Sequence, residues 1–187
     1  KSELGLIYAI NENNSISVGG GGRNNLSDWI ISSLQLTYKS NHWFGQFYKT
    51  WINLGQSLNM STRTSNYYAL LGTGQTENEA FENSLHSPRN AAFEEVSYRL
   101  NGEIQYNNDW KNLNIVAGLQ YQKEVANSNH TYLLDEEGPI RLNLNGVYGQ
   151  LIYAIEQTGV KLIATARVDD HSLFGTNFLP KAGMTYT

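Results

Sequence analysis

The chain has 187 residues, with 13 basic and 17 acidic side chains, a net charge of −4 and no cysteine. This balance does not favour a nucleic-acid-binding protein, which would carry a basic patch. The lack of cysteine excludes disulfides, zinc–thiolate sites and a thiol nucleophile. No run of about 18 apolar residues occurs, so we expect no transmembrane helix. The 12 Tyr residues and only 3 Pro residues favour long antiparallel strands.

Alternation of apolar and polar residues with a period of two predicts strands along most of the chain. It is clearest where Val96, Tyr98 and Leu100 alternate with Ser97 and Arg99. Strands of soluble proteins usually have five or six residues, whereas a strand that crosses a bilayer needs about 9–11. Several predicted strands reach the longer value. The nine predicted strands cover residues 3–10, 15–20, 29–39, 43–53, 96–106, 113–125, 143–156, 160–170 and 178–187.

The predicted connections between these strands alternate in length, as they do in outer-membrane barrels, where short periplasmic turns face longer extracellular loops. The charged side chains of the clearest strands share the polar face, which suits lipid contact on the other face. A soluble sheet with one wet face would show the same segregation. The short turns are predicted at 11–14, 40–42, 107–112 and 157–159, and the longer loops at 21–28, 54–93, 126–142 and 171–177.

A more specific pattern lies between residues 146 and 183. It begins with the strand Gly-Val-Tyr-Gly-Gln-Leu at 146–151, and Ala-Arg-Val-Asp-Asp-His follows at 166–171. Phe174-Gly175 and Phe-Leu-Pro-Lys-Ala-Gly at 178–183 complete it. In this order and spacing, the pattern resembles the middle of the barrel of TonB-dependent outer-membrane receptors. The sequence is rich in Asn and in aromatic residues, and in this it is similar to receptors of Bacteroidetes-type bacteria.

The resemblance implies a barrel of 22 strands whose lumen holds a plug domain. We recognise neither a plug domain nor a signal peptide in the sequence. The predicted fold class is therefore all-β: an antiparallel, up-and-down transmembrane β-barrel segment, with residues 1–187 as a partial domain of about nine strands. Nine strands cannot close, because bacterial single-chain barrels have even strand numbers and an open edge in lipid is costly.

The function that the resemblance implies is import of a scarce nutrient, such as a siderophore, cobalamin, glycan or peptide, across the bacterial outer membrane. Its expected partners are outer-membrane lipid, a TonB complex acting through the plug and, as an optional addition, a surface lipoprotein. No enzymatic activity, cofactor or metal is expected. Two alternatives remain open: a self-contained barrel acting as an adhesin or lipid-active enzyme, and a soluble β-sheet binding module.

Two groups of residues are candidate functional sites. The first is a charge network in the lumen or at its rim, comprising Arg167, Asp169, Asp170, His171 and Lys181. Arg167 and Asp169 lie two apart and so share a strand face. Asp170 and His171 lack a third ligand at fixed spacing, which disfavours a metal site.

The second group lies in the outer loops. The predicted 54–93 connection is far longer than usual, and such loops are usually functional or disordered. Its aromatic and polar side chains would suit ligand capture, although a solvated loop without ligand contact is the plainer alternative. The candidate ligand contacts are Tyr67, Tyr68, Gln75, Glu77 and, in the next outer loop, Tyr132.

Overall fold

The computed structural model describes residues 1–186 as one antiparallel sheet with two helices on its loops. In chain order, the elements are β1 (Glu3–Gly19), β2 (Gly22–Lys39), β3 (Trp43–Asn53), β4 (Leu58–Asn59), α1 (Met60–Gly72), α2 (Glu77–Asn83), β5 (Val96–Trp110), β6 (Leu113–Ala126), β7 (Ile140–Ala154), β8 (Val160–His171) and β9 (Gly175–Tyr186). The sheet order is β1-β2-β3-β5-β6-β7-β8-β9, and β4 pairs with the N-terminal part of β2.

The predicted all-β barrel segment is confirmed. Nine strands form one sheet that does not close, and β1 and β9 each have a single neighbour among residues 1–186. Eight strands are 11 to 18 residues long, which is enough to cross a bilayer. The ninth is β4, with two residues. Neither helix is long and apolar enough to span a membrane.

The predicted turn at 11–14 and loop at 21–28 are wrong. β1 is a single strand of 17 residues that pairs with β2 through a turn at Gly20-Gly21. The Asn-rich stretch forms a β-bulge instead, where the Asp28 N–H donates to Oδ1 of Asn14 at 2.8 Å. Asp28 has a φ of 56°, a left-handed conformation that Asp tolerates better than most residues. The bulge absorbs the local turn signal without ending the strand.

The connections fall into two sets at opposite ends of the sheet. One end has the short connections 40–42, 111–112 and 155–159. The other has the tight turn at 20–21, the helical connection 54–95, the loop 127–139 and the turn 172–174. Long connections therefore occur at one end only, as in outer-membrane barrels, where that end is extracellular. We call it the loop end.

The two faces of the sheet differ sharply in chemistry. One register row crosses five strands with large apolar side chains that are 40% to 63% exposed. These are Ile104, Leu119, Val147, Val168 and Phe178. The next row points to the opposite face, because side chains alternate along strands. It is formed by Gln46, Glu103, Gln120, Gly146, Asp169 and Asn177.

Among residues 1–186, no second protein layer covers the apolar row. Leu54, Leu70, Ala80 and Ala91 are buried in the helical connection at the loop end, and Val125 is buried near the end of β6 that leads into the 127–139 loop. The sheet therefore has one uncovered apolar face and one polar face. A barrel in lipid has this arrangement, with apolar side chains outward and polar side chains toward the lumen.

Candidate functional site

The centre of the polar face holds a hydrogen-bonded network that spans β5 to β8. Nε of Arg167 donates to both carboxylate oxygens of Asp169, at 2.8 and 2.7 Å. Its Nη2 atom lies 2.7 Å from Oδ1 of Asp169 and donates to Oε1 of Gln120, also at 2.7 Å. Arg167 thus links β8 to β6 across the intervening strand β7.

Tyr148 extends the network in the same way. It pairs with Arg167 in the register, and its hydroxyl interacts with Glu103 Oε1 at 2.6 Å and Gln105 Oε1 at 3.0 Å. The Arg167 guanidinium also lies 5.8 Å from the centre of the Tyr148 ring. Tyr148 therefore connects β7 to β5 across β6, and the network places two carboxylates and one guanidinium on the lumen face.

Both long side chains pass over a glycine of the neighbouring strand. A Cβ at Gly118 would overlap the ring and hydroxyl of Tyr148. A Cβ at Gly146 would lie 2.8 Å from Arg167 Nη2 and 2.8 Å from Asp169 Oδ1. Only glycine leaves this space free without displacing the side chains above it.

The structure does not bring the other candidates of the first group into this network. Asp170 follows Asp169 and so points to the apolar face, where it accepts a hydrogen bond from the Thr176 hydroxyl at 3.0 Å. His171, at the strand end, lies 4.8 Å from the Phe174 ring and accepts from the Leu173 N–H. Lys181 pairs with Thr165 in the register and has no ion-pair partner among residues 1–186.

The predicted 54–93 loop is a folded segment, because its sequence supplies helix caps. Oδ1 of Asn59 accepts from the Thr62 N–H at 2.8 Å and starts α1. Thr76 and Glu79 form a reciprocal capping box at α2. Hydrogen bonds from the backbone and hydroxyl of Thr76 lower the pKa of Glu79. The two helices meet where Arg63 and Asn66 of α1 donate hydrogen bonds to Ser84, the C-cap residue of α2.

A cleft of about 340 Å³ lies between the two helices and β2. Tyr67 and Tyr68 line it, with their ring centres 5.3 Å apart at 70°. Phe81 of α2, its C-cap residue Ser84 and Arg63 of α1 also line the cleft. The guanidinium carbon of Arg63 lies 4.4 Å from the centre of the Phe81 ring.

The remaining outer-loop candidates lie away from the lining of this cleft. Gln75 accepts a hydrogen bond from Asn83 at 3.2 Å, and Glu77 occupies the exposed first turn of α2. Tyr132 belongs to the 127–139 loop and packs edge-on against Phe93 at 5.9 Å. Burial, together with a hydrogen bond to Glu95, raises the pKa of Tyr132.

The 127–139 loop is organised by a buried carboxylate. Asp135 accepts hydrogen bonds from the N–H and hydroxyl of Ser128 and from the N–H of His130. Burial alone would raise the pKa of Asp135, but these hydrogen bonds outweigh it and lower the pKa. Among residues 1–186, no three His, Asp or Glu side chains are grouped closely enough to hold a metal ion.

Sequence reasoning missed several residues of both sites. Glu103, Gln120 and Tyr148 were visible only as polar or aromatic positions on alternating strands, and their proximity depends on strand register. Arg63 and Phe81 carry no local signal, because they meet only when α1 and α2 pack together. A polar face with glycines opposite long side chains is the one signal that could have indicated the lumen network.

Comparison with known families agrees with these features. A family model described as TonB dependent receptor-like, beta-barrel, matches residues 4–187. The chain belongs to this family. No curated protein and no solved structure matches it. Family membership confirms the resemblance predicted from residues 146–183 and assigns the chain a receptor or transporter role.

The assignment also explains the two faces of the sheet. The family consists of outer-membrane proteins of Gram-negative bacteria that work with TonB. In such a barrel the apolar row that includes Val147 faces lipid and the row that includes Asp169 faces the lumen. The match favours the receptor prediction over the self-contained barrel and the soluble binding module.

Proposed function

We propose that the chain forms part of the wall of a receptor that binds a scarce nutrient and imports it through the outer membrane. The observation that carries this proposal is the contrast between the exposed apolar row on one face of the sheet and the hydrogen-bonded polar network on the opposite face. A wall of this kind separates lipid from a polar lumen. The proposed process is binding and gated passage, driven by a TonB complex, with no bond made or broken in the cargo.

The lumen network has a specific part in this proposal. Arg167 and Asp169 hold each other in a fixed orientation, and Gln120 and Tyr148 tie them to neighbouring strands. We propose that this network keeps the barrel wall rigid and presents a polar surface to whatever occupies the lumen. Asp170 and Thr176 take part in outward-facing contacts instead.

The helical segment at the loop end is the proposed place of first contact with cargo. It is folded through its own caps and presents Tyr67 and Tyr68 in a cleft outside the strands that cross the bilayer. Gln75, Glu77 and Tyr132 line other parts of the loop end. We propose that they contribute to the outer surface and do not share one binding site with the two tyrosines.

The test is nutrient uptake in cells. A strain that lacks the gene is compared with its parent, and with the same deletion strain after the gene is restored, for uptake of ferric siderophores, cobalamin, peptides and glycans. We expect one cargo to be lost and restored by the gene, and its uptake to require TonB. Normal uptake of every cargo without the gene, or uptake that persists without TonB, would overturn the proposal.

A further inference from the structure

Arg63 in the cleft between α1 and α2 is a cation without an anionic partner. Its side chain is half-buried, and its Nε atom donates to Oγ of Ser84 at 3.3 Å. Among residues 1–186, no carboxylate lies within 4 Å of it, and its two terminal amino groups have no hydrogen-bond partner. A guanidinium offers five N–H donors in a planar fork, so most of this capacity remains free.

Two contacts nevertheless restrain the guanidinium. Its carbon lies 4.4 Å from the centre of the Phe81 ring in a cation–π contact, and its Nε atom donates to Oγ of Ser84. A preorganised guanidinium loses less conformational entropy on binding than a free one, which favours recognition of a planar, bidentate anion such as a carboxylate.

The rest of the cleft favours a flat apolar body beside that anion. Tyr68 and Phe81 are 67% and 53% exposed, and Met60 and Leu58 add apolar surface. Exposed aromatic rings around one fixed cation form a mostly apolar pocket with a single polar anchor, which is typical of small-molecule sites.

We infer that this cleft binds a small aromatic carboxylate, with the carboxylate paired to Arg63 and the ring packed against Tyr67, Tyr68 and Phe81. The inference rests on the proposed uptake function in one respect: if the receptor imports what this cleft binds, its substrates are aromatic acids or cargo that contains them. The binding itself can be measured independently of transport.

The experiment compares 2-naphthoate with its uncharged analogue 2-naphthamide, by calorimetry on the intact receptor in lipid nanodiscs. Arg63→Gln should weaken 2-naphthoate binding about 10-fold or more, because it removes a charge-assisted pair, and should leave naphthamide binding unchanged. Arg89→Gln is the matched control, because it removes another cation from the same segment. Arg89 donates a hydrogen bond to Ser65 and does not line the cleft. Phe81→Leu should weaken both probes.

Equal affinity of the wild-type receptor for the two probes, or equal loss in the Arg63 and Arg89 variants, would overturn the inference. Circular dichroism and heat-modifiable electrophoretic mobility of each variant identify a folding defect. If Arg63→Gln has one, Arg63→Lys is a milder substitution, for which we expect a partial loss of 2-naphthoate binding. If the probe binds as stated but no cargo depends on the gene, the uptake proposal fails alone. If uptake is TonB-dependent and the probe does not bind, only this inference fails.

Discussion

Nε of Arg167 donates to both carboxylate oxygens of Asp169, while the next residue, Asp170, points to the opposite face of the sheet. Two adjacent carboxylates therefore have different surroundings. One neutralises a partly buried guanidinium on the lumen face, and the other accepts a single hydrogen bond from Thr176 on the outward face. This pair provides an internal control for the lumen network.

Asp169→Asn should destabilise the barrel more than Asp170→Asn. The first substitution leaves Arg167 without its ion-pair partner, at a cost of about 1 kcal/mol given its partial exposure. The second keeps an oxygen that can accept the hydrogen bond from Thr176, and should change stability by less than about 0.5 kcal/mol. Urea unfolding in liposomes measures both, and a larger loss for Asp170→Asn would contradict the network.

Gly118→Ala should destabilise the barrel because the added methyl group collides with the Tyr148 ring. Overpacking of this kind costs about 1–3 kcal/mol. Gly183→Ala, where no atom lies within 4 Å of the added Cβ, is the matched control and should be nearly neutral. The measurement is the free energy of unfolding of the two variants, and equal losses would contradict the prediction.

A double-mutant cycle tests whether Tyr148 is the cause of that cost. Tyr148→Ser removes the ring, so adding Gly118→Ala to it should cost much less than Gly118→Ala alone. Strictly additive losses would show that the glycine is needed for another reason, such as its backbone conformation.

Val147→Lys should impair barrel stability far more than Gln150→Lys, although both residues lie on β7. Val147 belongs to the apolar row and Gln150 to the opposite face, where it pairs with Val116 and Thr165. A lysine in the lipid-facing band costs about 2–4 kcal/mol at the bilayer midplane. Assembly in outer-membrane fractions and heat-modifiable mobility are the measurements, and equal tolerance of the two lysines would contradict the assigned faces.

The 127–139 loop should open in acid. The folded pKa of Asp135 is lowered, so its stabilising contribution is complete above the ordinary carboxyl pKa near 3.8 and is lost as pH falls through the lower folded value. The protection of the Ser128 and His130 amides from hydrogen exchange, measured relative to the intrinsic exchange rate at each pH, should therefore fall below about pH 4. Asp135→Asn should show low protection at every pH, and a wild-type protection that does not fall in acid would contradict the role of this carboxylate.

The sequence by itself determined most of the strands, their two faces and the family. Alternation at Val96–Tyr98–Leu100 follows from the side-chain period of two, which needs no tertiary information, and the pattern at 146–183 identified the receptor barrel. The same local reasoning failed at 11–14, because Asn favours turns unless a partner strand supplies hydrogen bonds. There Asn11, Glu12 and Asn13 pair with residues 29–31 of β2, and the first part of β2, within the predicted 21–28 loop, pairs with residues 15–19.

The tertiary structure alone decided which polar residues meet. Whether Arg167 reaches Gln120 depends on the register of three strands and on a glycine between them, and register is a property of pairing, not of any single strand. Likewise, Arg63 meets Phe81 only because two separately capped helices pack together. The sequence placed Asp169 and Asp170 side by side, and the pleat of the sheet sent one to the lumen and the other toward lipid.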